Sequence, residues 1–338
     1  MLFYDFEVFA RDWLVVVIDP GNRTEKVIIN DRDELEEFYR EHRDDIWAGW
    51  NSRHYDQYIL KGILAGFDPK KINDWIIERG NKGWTFSNQL RAFPFNNYDV
   101  KNNIDRGLKV YEGFMGHDIR ESSVPFDIDR PLTDSEIAET VKYCRHDVEQ
   151  TIEIFIRRKS DFEAHFGLLK MFDLLLSDIS KTPAQLAAQI LEARKRTYRD
   201  EFDIDIPPTL DIRKYTEVVE WYQDPANRKY RVNPNDKKSK NHQLCTPVAG
   251  VPHTFGWGGL HGARDKYAGE GWFLNMDVAS LYPSLMIEYD LHSRSCNPER
   301  YREIRDKRLA YKAERNPLQA PLKLVLNSTY GAMKDQYN

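Results

Sequence analysis

Residues 2–30 read LFYDFEVFARDWLVVVIDPGNRTEKVIIN. The runs LFYDFEVF and WLVVVIDP are rich in β-branched and aromatic residues, and a Gly-Asn turn at 21–22 leads into KVIIN, so the opening reads as a β-hairpin followed by a further apolar run. DRDELEEFYREHRDD (31–45) has helical spacing, IWAGWN (46–51) reads as a short buried strand, and HYDQYILKGILAGF (54–67) reads as a second helix. This is an α/β start. Residues 68–125 carry few regular signals. The clearest helix is PLTDSEIAETVKYCRHDVEQTIEIFIRRKSDF (131–162), opened by Thr133 with Glu136 three residues on, the capping-box spacing. Thr182 before Pro183 marks another helix start. Further on, 224–243 is polar and reads as an exposed loop, and GWFLNMDVASLYPSLM (271–286) reads as strand-rich.

A chain of 338 residues exceeds what one core usually serves. Its 41% hydrophobic and 30% charged residues, without a run of eighteen apolar ones, favour neither a disordered chain nor a membrane span. The opening has no secretion signal, and Cys144, Cys245 and Cys296 lack zinc-ligand or redox spacing. A cytoplasmic protein with free thiols is expected. The net charge of -5 gives little general attraction for nucleic acid. Basic residues gather in 228–242, with Lys237, Lys238 and Lys240, and in 300–315. Each such cluster taken alone reads as a solvated face.

Asp5 and Glu7 lie two apart on a strand and share a face. Asp56 opens a helix, and Tyr143 and Asp147, four apart, share one face of the capped helix. Four acids so placed could hold two divalent cations, the arrangement that polarises a phosphodiester and activates a water. One acid alone is an ordinary surface residue; the pattern makes the case.

YDFEVF, NSRHYD and YCRHD resemble, in order, the three motifs of the 3′–5′ proofreading exonuclease of family-B DNA polymerases: D-x-E, N-x(2,3)-[FY]-D and Y-x3-D. D-x-D recurs in FDID at 126–129 and 202–205 without the other motifs, so the ordered set is what is specific. The resemblance implies an RNase H-like fold over residues 1–165 and two Mg2+ or Mn2+ per active site. Asp5 would bridge both metals, Glu7 and Asp147 would complete one site, and Asp56 would serve the other through water. Tyr143 would act on the attacking water, and Asn51 and Tyr55 would contact DNA.

DVASLYPS (277–284) resembles the polymerase A motif, D-x2-S-L-Y-P-S, and KLVLNSTYG (323–331) resembles the B motif, K-x3-N-S-x-Y-G. Lys323, Asn327 and Tyr330 fall on one helical stripe. The resemblance implies that Asp277, at the end of an apolar strand, binds catalytic metals. Lys323 would contact the incoming triphosphate, Asn327 and Tyr330 would line its site, and Tyr282 would exclude a 2′-hydroxyl. Arg305, Arg308 and Lys312 are candidates for further phosphate contacts. TFGWGGLHGA (254–263) resembles the glycine motif Y-x-G-[GA], with Gly256 in the tyrosine's place and Gly258 and Gly259 as DNA contacts.

The division expected is an exonuclease domain at 1–165, a helical linker and basic loop at 166–250, a partial palm at 251–297 and short fingers at 298–338. The Y-x-D-T-D motif that follows the B motif in the family does not occur, so the chain reads as the N-terminal part of a compact bacteriophage or prophage polymerase. Its proofreading would be intact and its synthesis incomplete without a C-terminal fragment. Primer-template, single-stranded DNA and deoxynucleoside triphosphates are the partners implied, in the bacterial host cytoplasm if the gene is a phage's. A free-standing 3′–5′ exonuclease and a non-catalytic fragment binding DNA or nucleotide are the alternatives.

Overall fold

The computed structural model describes residues 1–102, 106–119, 121–193, 214–236, 238–292 and 296–332, with 202–204, 206, 208, 209, 211 and 212. Lys237, Asp205 of the second FDID and residues 333–338 lie outside the described residues. The chain is α/β and divides into two compact units, Met1–Ile190 with Lys307–Val325, and Leu191–Asp306 with Leu326–Asn338. Among the described residues no helix is long and apolar enough to cross a membrane.

The first unit is built on strands β1 (Leu2–Val8), β2 (Trp13–Asp19), β3 (Thr24–Ile29), β4 (Trp47–Gly49) and β5 (Asn97–Asp99), in the order β3-β2-β1-β4-β5. β1, β2 and β3 pair antiparallel, and β4 and β5 extend the sheet in parallel from β1. Helix α1 (Arg32–Glu41) joins β3 to β4 and is capped by Asp31, whose carboxylate accepts from the Glu34 amide at 2.9 Å. After β4 come α2 (Asp56–Leu64), α3 (Pro69–Ile76) and the one-turn α4 (Asn88–Ala92). α5 (Leu108–Met115), α6 (Asp134–Arg157), α7 (Lys159–Met171) and α8 (Pro183–Ile190) follow β5.

Alternation along β1 separates two faces. Leu2, Tyr4, Phe6 and Val8 enter a core with Val15, Val17, Ile28, Leu35, Trp47 and residues of α2 and α3. Phe3, Asp5 and Glu7 face the other way, where Phe3 meets Phe155 of α6 edge-on at 5.1 Å. Both faces of the sheet are therefore covered, which is why β2 reads as an almost unbroken apolar run. The Thr133 and Glu136 capping box forms as the spacing predicts, and Arg145 grips Glu25 of β3 with bonds of 2.6–3.0 Å. These contacts fix α6 against the sheet. Thr182 caps α8, accepting from the Gln185 amide at 3.2 Å.

The second unit contains α9 (Thr216–Gln223), an antiparallel sheet of β6 (Leu244–Val248), β7 (Val251–Gly256) and β8 (Gly259–Gly262), and α10 (Leu281–Glu288). Helices α11 (Pro298–Ala313) and α12 (Gln319–Ala332) follow, each divided between the two units. Trp257 and Gly258 form the turn between β7 and β8, and Gly259 takes φ +130, a conformation other residues rarely adopt. The expectation of strand at 271–286 is corrected. Residues 272–278 are irregular and exposed, Trp272 fully so, and 281–286 lie in α10. An apolar run becomes a strand only beside a ladder partner, and among the described residues none pairs with this one. Asp277 consequently sits in an exposed irregular segment and not at a strand end.

Candidate metal centre

β1 presents Asp5 and Glu7, the start of α2 presents Asp56, and the middle of α6 presents Tyr143 and Asp147. The loop that delivers Asp56 passes close to β1 because residue 49 is glycine. A Cβ there would stand 2.9 Å from the Tyr4 carbonyl oxygen and 2.8 Å from Ser52 Cβ. Asn51 takes a positive φ in the same loop, which asparagine tolerates better than most residues. The Phe6 amide, between Asp5 and Glu7, then donates to Asp56 Oδ1 at 3.1 Å. Arg53 anchors the loop from behind, donating to the carbonyls of Ser180 at 2.8 Å and Lys181 at 3.2 Å. The four carboxylates therefore converge by hydrogen bonding and register, though their sequence separation reaches 142 positions (147 − 5).

The electrostatics follow from that convergence. Burial, then the charges of Asp56, Glu7 and Asp147, pushes the Asp5 carboxyl well above the usual carboxylate range. Burial, then Asp147 and Asp56, does the same at Glu7, with Lys109 opposing. Asp56 is pushed up to about 7, chiefly by burial, although the Phe6 amide favours its anion. Asp147 is raised by burial against the pull of Lys109. Four oxygen donors that resist ionising together for want of positive charge suit hard divalent cations. This structure contains a fitting set: Asp5 and Glu7 present ligand atoms within 4.8 Å of each other and of Cys144 Sγ.

Several participants were not evident in the sequence. Lys109 of α5 pairs with Asp147 and, at 3.2 Å, with Glu112, and its ammonium lies 4.7 Å from the Tyr143 ring centroid. Glycines at 107 and 116 bound this helix, Gly116 in the left-handed cap conformation, and they are the signal that could have marked it. Asp99 ends β5, buried opposite Gly49, and accepts from the amides of Arg53 and Lys101. Cys144 donates its thiol to the Asp5 carbonyl at 3.3 Å. Lys109→Met should lower stability at pH 8 by about 3 kcal/mol, the low end for a broken buried pair because Lys109 is 24% exposed. Urea unfolding measures it; an unchanged midpoint would remove Lys109 from the charge balance.

Of the proposed DNA contacts, Asn51 accepts from Lys101 at 3.4 Å and the Tyr55 hydroxyl donates to Asn73 at 2.8 Å. At the β7–β8 turn, Gly258 has open space around it, while the neighbouring Trp257 packs its ring on Phe202 and Tyr222.

In the second unit the rings of Tyr282 and Tyr330 stack at 4.2 Å, 13° from parallel. Tyr330 also borders an apolar cavity of about 860 Å³ with Tyr222, Phe255 and Trp257. Lys323, Asn327 and Tyr330 form one exposed stripe of α12, and Leu322, Val325 and Leu326 form its buried side. The Tyr301 hydroxyl reaches the Leu326 carbonyl at 3.3 Å. On α11, Arg305 donates to Ser284 Oγ at 3.3 Å, Lys312 is exposed, and Arg308 is buried on the face of Tyr301 and Ile304. Asp277 joins no cluster of metal-ligating side chains among the described residues.

No protein-family model matches the chain, and no curated protein matches it. The side chains themselves carry the functional reading.

Proposed function

We propose that this chain removes nucleotides from the 3′ end of DNA, with the proofreading exonuclease of a family-B DNA polymerase of the compact bacteriophage or prophage type. The observation that carries this is that three distant motifs converge at β1: Asp5 and Glu7 present ligand atoms within 4.8 Å of each other, Asp56 accepts from the Phe6 amide between them, and the charge of Asp147 bears on both. The strand order β3-β2-β1-β4-β5, antiparallel through β1 and parallel after it, supports an RNase H-like reading. Asp5, Glu7, Asp56 and Asp147 would hold two Mg2+ or Mn2+. When bound, such cations polarise the scissile phosphodiester and stabilise the departing oxygen. Tyr143 stands one helical turn from Asp147, and burial together with the charges of Asp147 and Glu7 keeps its hydroxyl protonated. A neutral phenol there orients the attacking water without taking its proton. Lys109 pairs with Asp147 and would offer its ammonium to the scissile phosphate.

The stacking of Tyr282 on Tyr330 favours a nucleotide site in the second unit, since it joins the A and B motifs. A deoxynucleoside triphosphate would lie against Asn327, exposed on α12 beside Tyr330. Asp277 would bind the metals of synthesis there, although it joins no group of three metal-ligating side chains among the described residues.

One experiment tests the exonuclease reading. On a 5′-labelled primer-template with Mn2+ and no nucleotides, the purified chain should shorten the primer from its 3′ end, and chelation should stop it. A primer left intact would overturn the exonuclease proposal.

A further inference from the structure

Glu112 on α5 and His146 on α6 stand beside the acidic centre, and the proposed nuclease chemistry uses neither. Glu112 is fully buried. Its Oε1 accepts from Lys109 at 3.2 Å, but its Oε2 has no hydrogen-bond partner. Facing that oxygen at 3.7 Å is Nε2 of the half-buried His146, an atom itself shielded from solvent and without a hydrogen-bond partner. A separation of 3.7 Å is too long for a hydrogen bond. It is a span that one cation bridges with bonds of about 2.0–2.1 Å to each atom. Asp147 offers a third ligand atom, and all three lie within 4.8 Å of one another.

The donor types choose among metals. An imidazole nitrogen with carboxylates suits zinc and its first-row neighbours, whereas Mg2+ favours oxygen alone. Lys109 does not forbid a cation here. Its ammonium is shared between Asp147 and one oxygen of Glu112, which leaves Glu112 Oε2 and His146 Nε2 facing each other without a hydrogen-bond partner.

We propose that Glu112, His146 and Asp147 form a binding site for a first-row transition-metal cation of the Zn2+ class, adjoining the acidic centre and sharing Asp147 with it. Zinc held there would draw Asp147 away from Glu7 and Asp5, so on the exonuclease reading it would restrain the nuclease. The site itself does not depend on that reading.

Calorimetric titration of Zn2+ into the metal-stripped full chain, in excess Mg2+, tests it. One tight uptake is expected, weakened about tenfold or more in His146→Gln and in Glu112→Gln, and changed less than about twofold in Asp5→Asn. In the wild-type chain the side-chain 15N resonances of His146 should shift on zinc addition, a readout that needs no variant to fold. Equal uptake by the His146→Gln chain, with those resonances unmoved, would overturn the proposal. Uptake lost in Asp5→Asn alone would do so as well, by moving the zinc to the acidic centre. A chain that shows no exonuclease activity but passes these tests would separate this site from the proposed function.

Discussion

Asp5→Asn should abolish metal-dependent shortening of DNA while making the metal-free protein more stable. The two effects share one cause. Burial and the charges of Asp56, Glu7 and Asp147 all act on the Asp5 carboxyl, so on the proposed reading the group that helps to hold the cations also adds to the strain of their absence. Activity should fall by roughly four orders of magnitude, the scale on which losing an indispensable member of a catalytic unit acts. In chelator at pH 8 the melting temperature should rise, by about 2–4 °C for each kcal/mol of repulsion relieved. Such opposed changes are expected where function requires an uncomfortable site. Tyr143→Phe is the contrast: it removes an orienting hydroxyl and leaves every carboxylate, so a reduced but measurable rate should remain. Activity of Asp5→Asn within tenfold of the parent would sink the assignment, and a lower metal-free melting temperature would sink the account of strain.

What the sequence could and could not reveal follows from the length of each element. Asp5 and Glu7 were readable because β1 alternates over seven residues, and Tyr143 and Asp147 because α6 runs for 24 behind a capping box. Asp99 and Glu112 were not. They sit on a strand of three residues and a helix of eight, in a region where no periodicity can build up. Lys109 shares that short helix, and its role is visible only once α5 is seen against α6. The misreading at 271–286 has a different origin: its apolar composition is that of a strand, but a strand also needs a neighbour, and composition does not report one. Arg308 shows the same limit on a helix. Its charge suggested a phosphate contact, while its spacing from Tyr301 and Ile304 places it on the buried face.

In chelator the protein should lose stability as pH rises from about 6.5 to 8, and Mn2+ should restore it most at the upper end. A carboxyl whose folded pKa is raised contributes stability that is complete below the unfolded value, near 4, and is lost as pH rises through the folded value. Asp56, held at about 7, is still giving up its proton across this window, and alone contributes a loss on the order of 1 kcal/mol between pH 6.5 and 8. Asp5 and Glu7, raised well above the usual range by burial and by their neighbours, act in the same direction. Below about pH 6.5 the buried His165, held down at about 4 by burial, works oppositely, because it resists the proton that the unfolded chain accepts. The carboxylate effect is therefore cleanest above that pH. Cations bind the ionised acids, so their stabilisation should grow with pH, reaching about 2.7 kcal/mol when free metal is 100 times its dissociation constant. Thermal melts in chelator and in Mn2+ at each pH would measure both slopes. A metal-free melting temperature that stays level from pH 6.5 to 8, or an Mn2+ shift that does not grow across it, would mean that these four acids are not held together as one ionising group.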